Sequence, residues 1–364
     1  MKNTFGNALT VTLFGESHGE MIGAVLDGIA PGIPVDATYI AHQMDQRRPY
    51  GAISTGRKES DTVKLVSGVY RGKTTGTPIC ILIENAEQHS SDYAEQQFLP
   101  RPGHADYTAM QKFHGFSDPR GGGHFSGRLT APLTAAGAIA LSMLKKKGIL
   151  VGTHIARCAK ISDRTFEDYE KDIRLLEESL FAVLDPKKSE EMQSAIEEAA
   201  GSGDSVGGVL ETAVLGIPAG IGEPWFDTAE GLLAHALYSI PSVKGVEFGT
   251  GFALADLRGS EANDAFVIEN GAVKTRSNHN GGINGGITNG MPILFRTAVK
   301  PTPSIFLKQD TVDLRTMEQA ELKLKGRHDP AIVHRARVVV DSLTALTLAD
   351  LLTEHYGTDW WAEA

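Results

Sequence analysis

At 364 residues the chain has room for one large domain or two ordinary ones, so core size does not limit the fold. Acidic residues outnumber basic ones 45 to 35, a formal net charge of −10, and a surface field of that sign repels nucleic acid and anionic membranes. Two cysteines, Cys80 and Cys158, stand far apart without metal-ligand spacing; they exclude a disulfide framework and a zinc ribbon and point to a reducing compartment.

The opening, MKNTFGNALTVTLFG, lacks the unbroken apolar run of a secretion signal. The longest mostly apolar stretch, Ala131 to Leu144, falls short of the about 20 residues a membrane helix needs, so a soluble cytoplasmic protein is expected. In chain order, β-rich or alternating runs predict strands at 9–14 and 22–29, helical spacing predicts a helix over 36–48, and strands return at 62–69 and 77–84. Helices are predicted over 105–115 and 131–147, a strand at 149–158, and a charge-dense, exposed helical pair between Asp163 and Asp204. Beyond it come a strand at 206–217, a helix over 228–240, and strands at 244–257 and 291–300. The chain closes with a helix over 311–325, the β-branched strand RVVV (337–340) and a helix over 342–356. Strands and helices do not alternate one for one, which favours layered α+β with largely antiparallel sheets. No repeat, low-complexity tract or linker marks a boundary, so one domain over 1–364 is expected.

Glycine makes up 40 residues and clusters in five loops that also carry His or Arg: GESHG (15–19), RPGHAD (101–106), RGGGHFSGR (120–128), NHNGGINGGITNG (278–290) and GRHDP (326–330). Glycine lets backbone N–H groups approach a ligand, and guanidinium is a flat fork of donors matched to carboxylate or phosphate. Together they predict an anion site. RGGGHFSGR runs into a helix, a common place to hold phosphate. His104 stands at a predicted helix start, where the dipole disfavours imidazolium and Asp106 favours it, a combination suited to acid–base work. His18 follows a strand beside Ser17 and Glu16. GESHG also fits the G-x-S-x-G elbow of serine hydrolases, the main rival, although the segment after it reads as a strand. SGVYRGKTTG is one residue short of a nucleotide phosphate loop, and no dinucleotide fingerprint follows a strand.

These loops, with RRP (47–49), SIPSVKGVEFG (239–249) and KPTPSI (300–305), occur in the order and spacing of chorismate synthases, and the resemblance covers essentially the whole chain. It implies a β-α-β sandwich, a homotetramer, and conversion of 5-enolpyruvylshikimate-3-phosphate to chorismate and phosphate with reduced FMN, in the shikimate pathway of aromatic amino acid biosynthesis. It implies that Arg47, Arg48, Arg101, Arg128 and Arg327 meet the substrate's anionic groups, that His18 protonates the departing phosphate, and that His104 serves the flavin as acid. Asp329 and Ser126 would act as base and relay. Flavin contacts would come from His124, Phe125, Ser126, Pro241, Ser242, Gly285, Lys300, Pro301, Thr302, Pro303, Ser304 and Arg327. NADPH or an external flavin reductase would reduce the flavin, and the family pattern suggests a nicotinamide contact at Arg47. Many bacterial relatives read RGGGRSSARET where this chain has RGGGHFSGRLT, and many carry an arginine shortly after RRPG where this chain has no base until Arg57; Arg57 or Lys58 would then compensate. A flavin- or anion-binding module without turnover is the remaining alternative.

Overall fold

The computed structural model describes residues 2–56, 60–85, 98–324, 326 and 328–362. Arg57, Lys58 and Arg327 lie outside the described residues.

Strands β1 (Thr4–Phe5), β2 (Thr10–Gly15) and β3 (Met21–Asp27) form a meander. After α1 (Ala37–Arg47) come β4 (Lys64–Leu65), the small hairpin β5 (Val69–Tyr70) and β6 (Lys73–Thr74), and β7 (Ile79–Glu84). The near-match to a phosphate loop is therefore a hairpin turn. The first sheet has the order β1-β2-β3-β7-β4 and is antiparallel throughout. In β7, Ile79, Ile81 and Ile83 are buried on one face while Cys80 and Leu82 are half-buried on the other, the period of two that the sequence shows.

Next come α2 (Asp106–Lys112), α3 (Thr130–Lys146), β8 (Leu150–Cys158), β9 (Ile161–Ser162), α4 (Tyr169–Glu177), α5 (Pro186–Gly201), β10 (Gly208–Leu215), α6 (Ala229–Leu237), β11 (Val243–Phe248) and the single turn α7 (Gly259–Ala262). Two hairpins, β12 (Phe266–Glu269) with β13 (Ala272–Thr275) and β14 (Ile283–Asn284) with β15 (Ile287–Thr288), precede β16 (Ile293–Val299). A third, β17 (Gln309–Asp313) with β18 (Glu318–Leu322), leads to α8 (Val333–Tyr356). The second sheet runs β11-β16-β10-β8-β9, again antiparallel.

Helices α1, α3 and α8 fill the space between the sheets: α3 rests on β2, β3 and β7, α8 on β8 and β10, and the two pack on each other. Burial explains their composition. Nearly every residue of α3 from Ala131 to Leu144, and every residue of α8 from Ala336 to Thr353, is buried, as expected of helices without a solvent face. Close approach needs Gly137, because a side chain there would collide with Ser342. The architecture is the expected α+β sandwich with helical layers.

Two expectations are corrected. RVVV is part of α8, not a strand: its β-branched residues pack against both neighbours inside the sandwich, and that packing overrides their local preference. The described part of 311–325 is the β17–β18 hairpin, not a helix; its turn closes with Met317 in the left-handed region at φ +60° and the Met317 N–H donating to Asp313 O at 2.8 Å. Helices α4 and α5 form as predicted, each with one buried edge; Ile173 and Leu176 of α4 join Phe166, Ala182, Leu184 and Ala213 in a small second core outside the second sheet.

Candidate active site

The GESHG turn leads from β2 straight into β3, so Ser17 sits between two strands. A hydrolase elbow requires a helix at that point. Instead Ser17 Oγ donates to Arg120 O at 3.3 Å and lies 3.1 Å from His18 Nδ1, folding the turn onto the 120–128 loop.

That loop organises the site. Gly121, Gly122 and Gly123 take φ of +63°, +113° and +52°, a left-handed run that residues with a Cβ avoid. At Gly121 space demands glycine as well, since a Cβ would overlap the His18 ring; one on Gly122 would sit in ordinary contact, 3.4 Å from His104 Cε1. His18 and His104, distant in sequence, thus pack against successive residues of one loop. His124 Nδ1, 2.9 Å from Gly15 O, ties the loop to the end of β2. Ser126 Oγ accepts the Arg128 N–H at 3.2 Å, and α3 begins at Thr130.

Arg128 and Arg47 are both buried, with the buried carboxylate of Asp61 between them. Arg128 also donates from Nε to Asn85 Oδ1 at 3.0 Å and from Nη2 to Glu84 O at 3.2 Å. Arg47 donates to Thr130 Oγ1 at 2.9 Å and to Gly127 O at 3.0 Å. The Asn85 amide donates to Glu16 O and Gly19 O, so it joins Arg128 to the turn bearing His18. Arg48, half-buried, pairs with Asp45 and with Ser60 O. Asp329 accepts the Thr55 N–H at 2.9 Å and Arg335 Nη1 at 2.6 Å, and Arg335 Nε donates to Arg47 O at 2.8 Å.

On the other side of His104, Asp106 accepts from Arg101 through its backbone N–H at 2.9 Å and through Nε and Nη2, each at 2.7 Å. Burial alone would raise the Asp106 carboxyl, but hydrogen bonds from Arg101 and His104 outweigh it and hold the group well below the usual carboxylate range. Lys300 Nζ donates to Gly103 O at 2.7 Å, Arg101 Nη1 reaches Ser304 Oγ at 3.4 Å, and the Lys300 N–H donates to Ser242 O at 2.9 Å. Segments 101–106, 241–242 and 300–304, including Pro241, Pro301 and Pro303, therefore run together. Burial, then the charge of Lys244, lowers the Lys300 ammonium. Gly285 lies in the β14–β15 turn, where its neighbour Gly286 packs on Thr228 and Glu223.

A cleft lined by Arg101, His104, Asp106, Gly122 and Phe125 lies between the start of α2 and the loop that follows it. The 300–304 segment, tied to 101–106 but outside that lining, adds donors of the kind a phosphate-bearing heteroaromatic needs. Thr302 Oγ1 is buried with no partner among the described residues, the Phe125 ring is partly exposed, and Lys300 supplies a cation. Sequence reasoning missed Asp61, Asn85 and Arg335, which sit in no glycine-rich motif and acquire their roles through long-range contacts.

Histidines able to move protons, set beside concentrated guanidinium charge, equip an enzyme for an anionic small molecule. Likeness over the whole chain says which class of chemistry. The chorismate synthase family model matches residues 9–353. The chain is 48% identical over 349 residues to the chorismate synthase of Pyrococcus abyssi, covering 95% of this chain and 96% of the relative. It is 47% identical over 352 residues to that of Thermococcus gammatolerans, with coverage of 95% and 96%. A crystal structure of chorismate synthase superposes with a TM-score of 0.77 at 30% identity, over 97% of this chain and 94% of that one. The chain belongs to the chorismate synthase family and is an enzyme of the lyase class, acting in the shikimate pathway.

Proposed function

We propose that this chain eliminates phosphate from 5-enolpyruvylshikimate-3-phosphate to give chorismate, with reduced FMN bound at the cleft beside the 101–106 and 120–128 segments and reaching the neighbouring 300–304 segment. The observation that carries the reading is the packing of His18 and His104 against adjacent glycines of a single loop. The reaction removes phosphate from one carbon and hydrogen from another that no carbonyl acidifies. Reduced FMN supplies electron density for that 1,4-elimination without net redox change. Thr302, Lys300, Ser304, Phe125 and Ser242 would hold it, with Pro241, Pro301, Pro303 and His124 shaping the walls.

The chain's own groups do the rest. His18 delivers a proton to the departing phosphate, His104 holds one at the flavin's edge, and Asp329 with Ser126 accepts the proton lost from the substrate. Arg101, whose Nη1 makes only a 3.4 Å bond to Ser304, and Arg48, half-buried, present charge to the substrate's phosphate and carboxylates. Arg47 and Arg128 contribute from beneath, as two cations sharing one carboxylate. Arg327 adds a further contact in this reading.

The reading extends to a homotetramer in the cytoplasm. A second copy would cover Trp225 and Phe226, which are 86% and 93% exposed, and the exposed Phe252 beyond edge strand β11. Cys80 and Cys158, both free thiols, suit a reducing compartment. NADPH, or a separate flavin reductase, would reduce the FMN.

An anaerobic phosphate-release assay with substrate and prereduced FMN tests the proposal. Release is expected from the wild type. His18→Ala, His104→Ala and Asp329→Asn should each slow it by about 10²–10⁴, the usual contribution of a positioned acid or base. Near-normal rates in all three variants, or stoichiometric binding without phosphate release, would overturn it. Adding NADPH to oxidised FMN then tells intrinsic from external reduction.

A further inference from the structure

We propose that Asp106 is a positioning residue for His104, taking its Nδ1–H so that Nε2 is the nitrogen presented to the cleft. The inference rests on the role proposed above for His104. Two groups approach His104 Nδ1: Asp106 Oδ1 at 2.6 Å and Arg101 Nη2 at 3.1 Å. Guanidinium can only donate and a carboxylate can only accept, so the shorter contact fixes Nδ1 as the protonated nitrogen. Nε2 is left on the other side of the ring, where a Cβ on Gly122 would lie 3.5 Å from it, and both residues line the cleft. Asp106 cannot turn away, because its Oδ2 takes the Arg101 N–H and Nε and its Oδ1 takes Nη2 as well.

The same geometry says what an amide would do. In Asp106→Asn the single oxygen belongs at the Oδ2 position, which faces two Arg101 donors. The NH2 group then replaces Oδ1, gives up the bond from Arg101 Nη2 and donates to His104 Nδ1, turning the neutral ring to the opposite tautomer. A catalytic triad with its aspartate replaced by asparagine fails for this reason.

The test is ¹⁵N NMR of the flavin-free protein labelled at histidine, with His104 assigned by its absence in His104→Gln. The neutral ring should carry its proton on Nδ1 in the wild type and on Nε2 in Asp106→Asn, with Asp106→Glu, which keeps an acceptor, resembling the wild type. In turnover, Asp106→Asn should lower kcat by about 10²-fold or more, a larger effect than any rise in substrate KM through Arg101, with Asp106→Glu recovering part of the rate. A wild-type ring protonated on Nε2, or one tautomer shared by wild type and Asp106→Asn, would overturn the proposal. So would an unchanged kcat in that variant. Failure of the wild type to release phosphate would instead overturn the proposed reaction while leaving the tautomer result standing.

Discussion

Two buried charge clusters in this molecule are mirror images. Beside the cleft, Asp61 lies between the guanidiniums of Arg47 and Arg128. On the outer side of the second sheet, His154 lies between Asp163, 2.9 Å from Nδ1, and Glu211, 3.1 Å from Nε2. The second cluster continues across the strands, since His154, Glu211, Arg296 and Glu247 face one another in register. Asp163 also accepts the N–H groups of Leu184 and Asp185 at 2.6 and 2.9 Å, tying the entry to α5 onto the sheet. The first cluster sets two cations against the loop that carries Ser126 and Gly127. A ring between two carboxylates, closed over by Phe166 at 4.9 Å between ring centres, serves to fasten helices. Burial of ionisable groups alone therefore does not mark a site.

The largest break in this comparison should come from Asp61→Ala, which removes the carboxylate that two buried guanidiniums share. Removing one partner of a buried pair typically costs about 3–5 kcal/mol, and urea unfolding should show a loss of that order. A loss below about 1 kcal/mol would mean that the carbonyls and Asn85 suffice for both arginines. Gly121→Ala should cost less, about 1–2 kcal/mol for a side chain in the left-handed region. Because the new methyl overlaps His18, it should depress turnover more than its stability loss explains, and normal turnover would detach the glycine loop from His18.

The second cluster should show itself through pH. Burial opposes charge on His154, but hydrogen bonds to Asp163 and Glu211 outweigh it and raise the imidazole above its ordinary value. Its stabilisation is complete below the unfolded value of about 6.5 and is lost as pH rises through the raised folded value. Asp163 behaves in the opposite sense. Burial pushes its carboxyl up, but His154 and the two amides lower it, so its contribution is lost as pH falls through that lowered value. Unfolding free energy followed against pH should fall on the alkaline side in the wild type and flatten there in His154→Gln; an unchanged slope would remove His154 from the account. The smallest effect is expected from Glu170→Gln, which breaks an exposed pair with Arg174 at 2.7 Å and should leave the unfolding midpoint where it was.

Strand runs were legible because one face of each sheet is buried, so alternation survives in β7 and β16. The same logic fails inside the sandwich, where α8 is buried all round and its Val338, Val339 and Val340 carry no helical period. The β17–β18 hairpin misled for a different reason: Leu314, Met317, Leu322 and Leu324 fall near helical spacing although the backbone pairs across a turn. Histidines and glycines of the site stood out because loops that approach a ligand need those residue types. Asp61 did not, since its two partners lie 14 and 67 residues away and nothing in ESDTV announces them.

The two longest helices of the central layer both begin next to Arg47. Its Nε bonds Thr130, the first residue of α3, and its carbonyl accepts from Arg335 in the first turn of α8. Neither start has a side-chain cap; the Thr130 N–H instead bonds Gly127 O, and the Arg335 and Ala336 N–H groups bond Ile332 O. One residue therefore ties the entry of both helices together, and through them the two sheets they rest on.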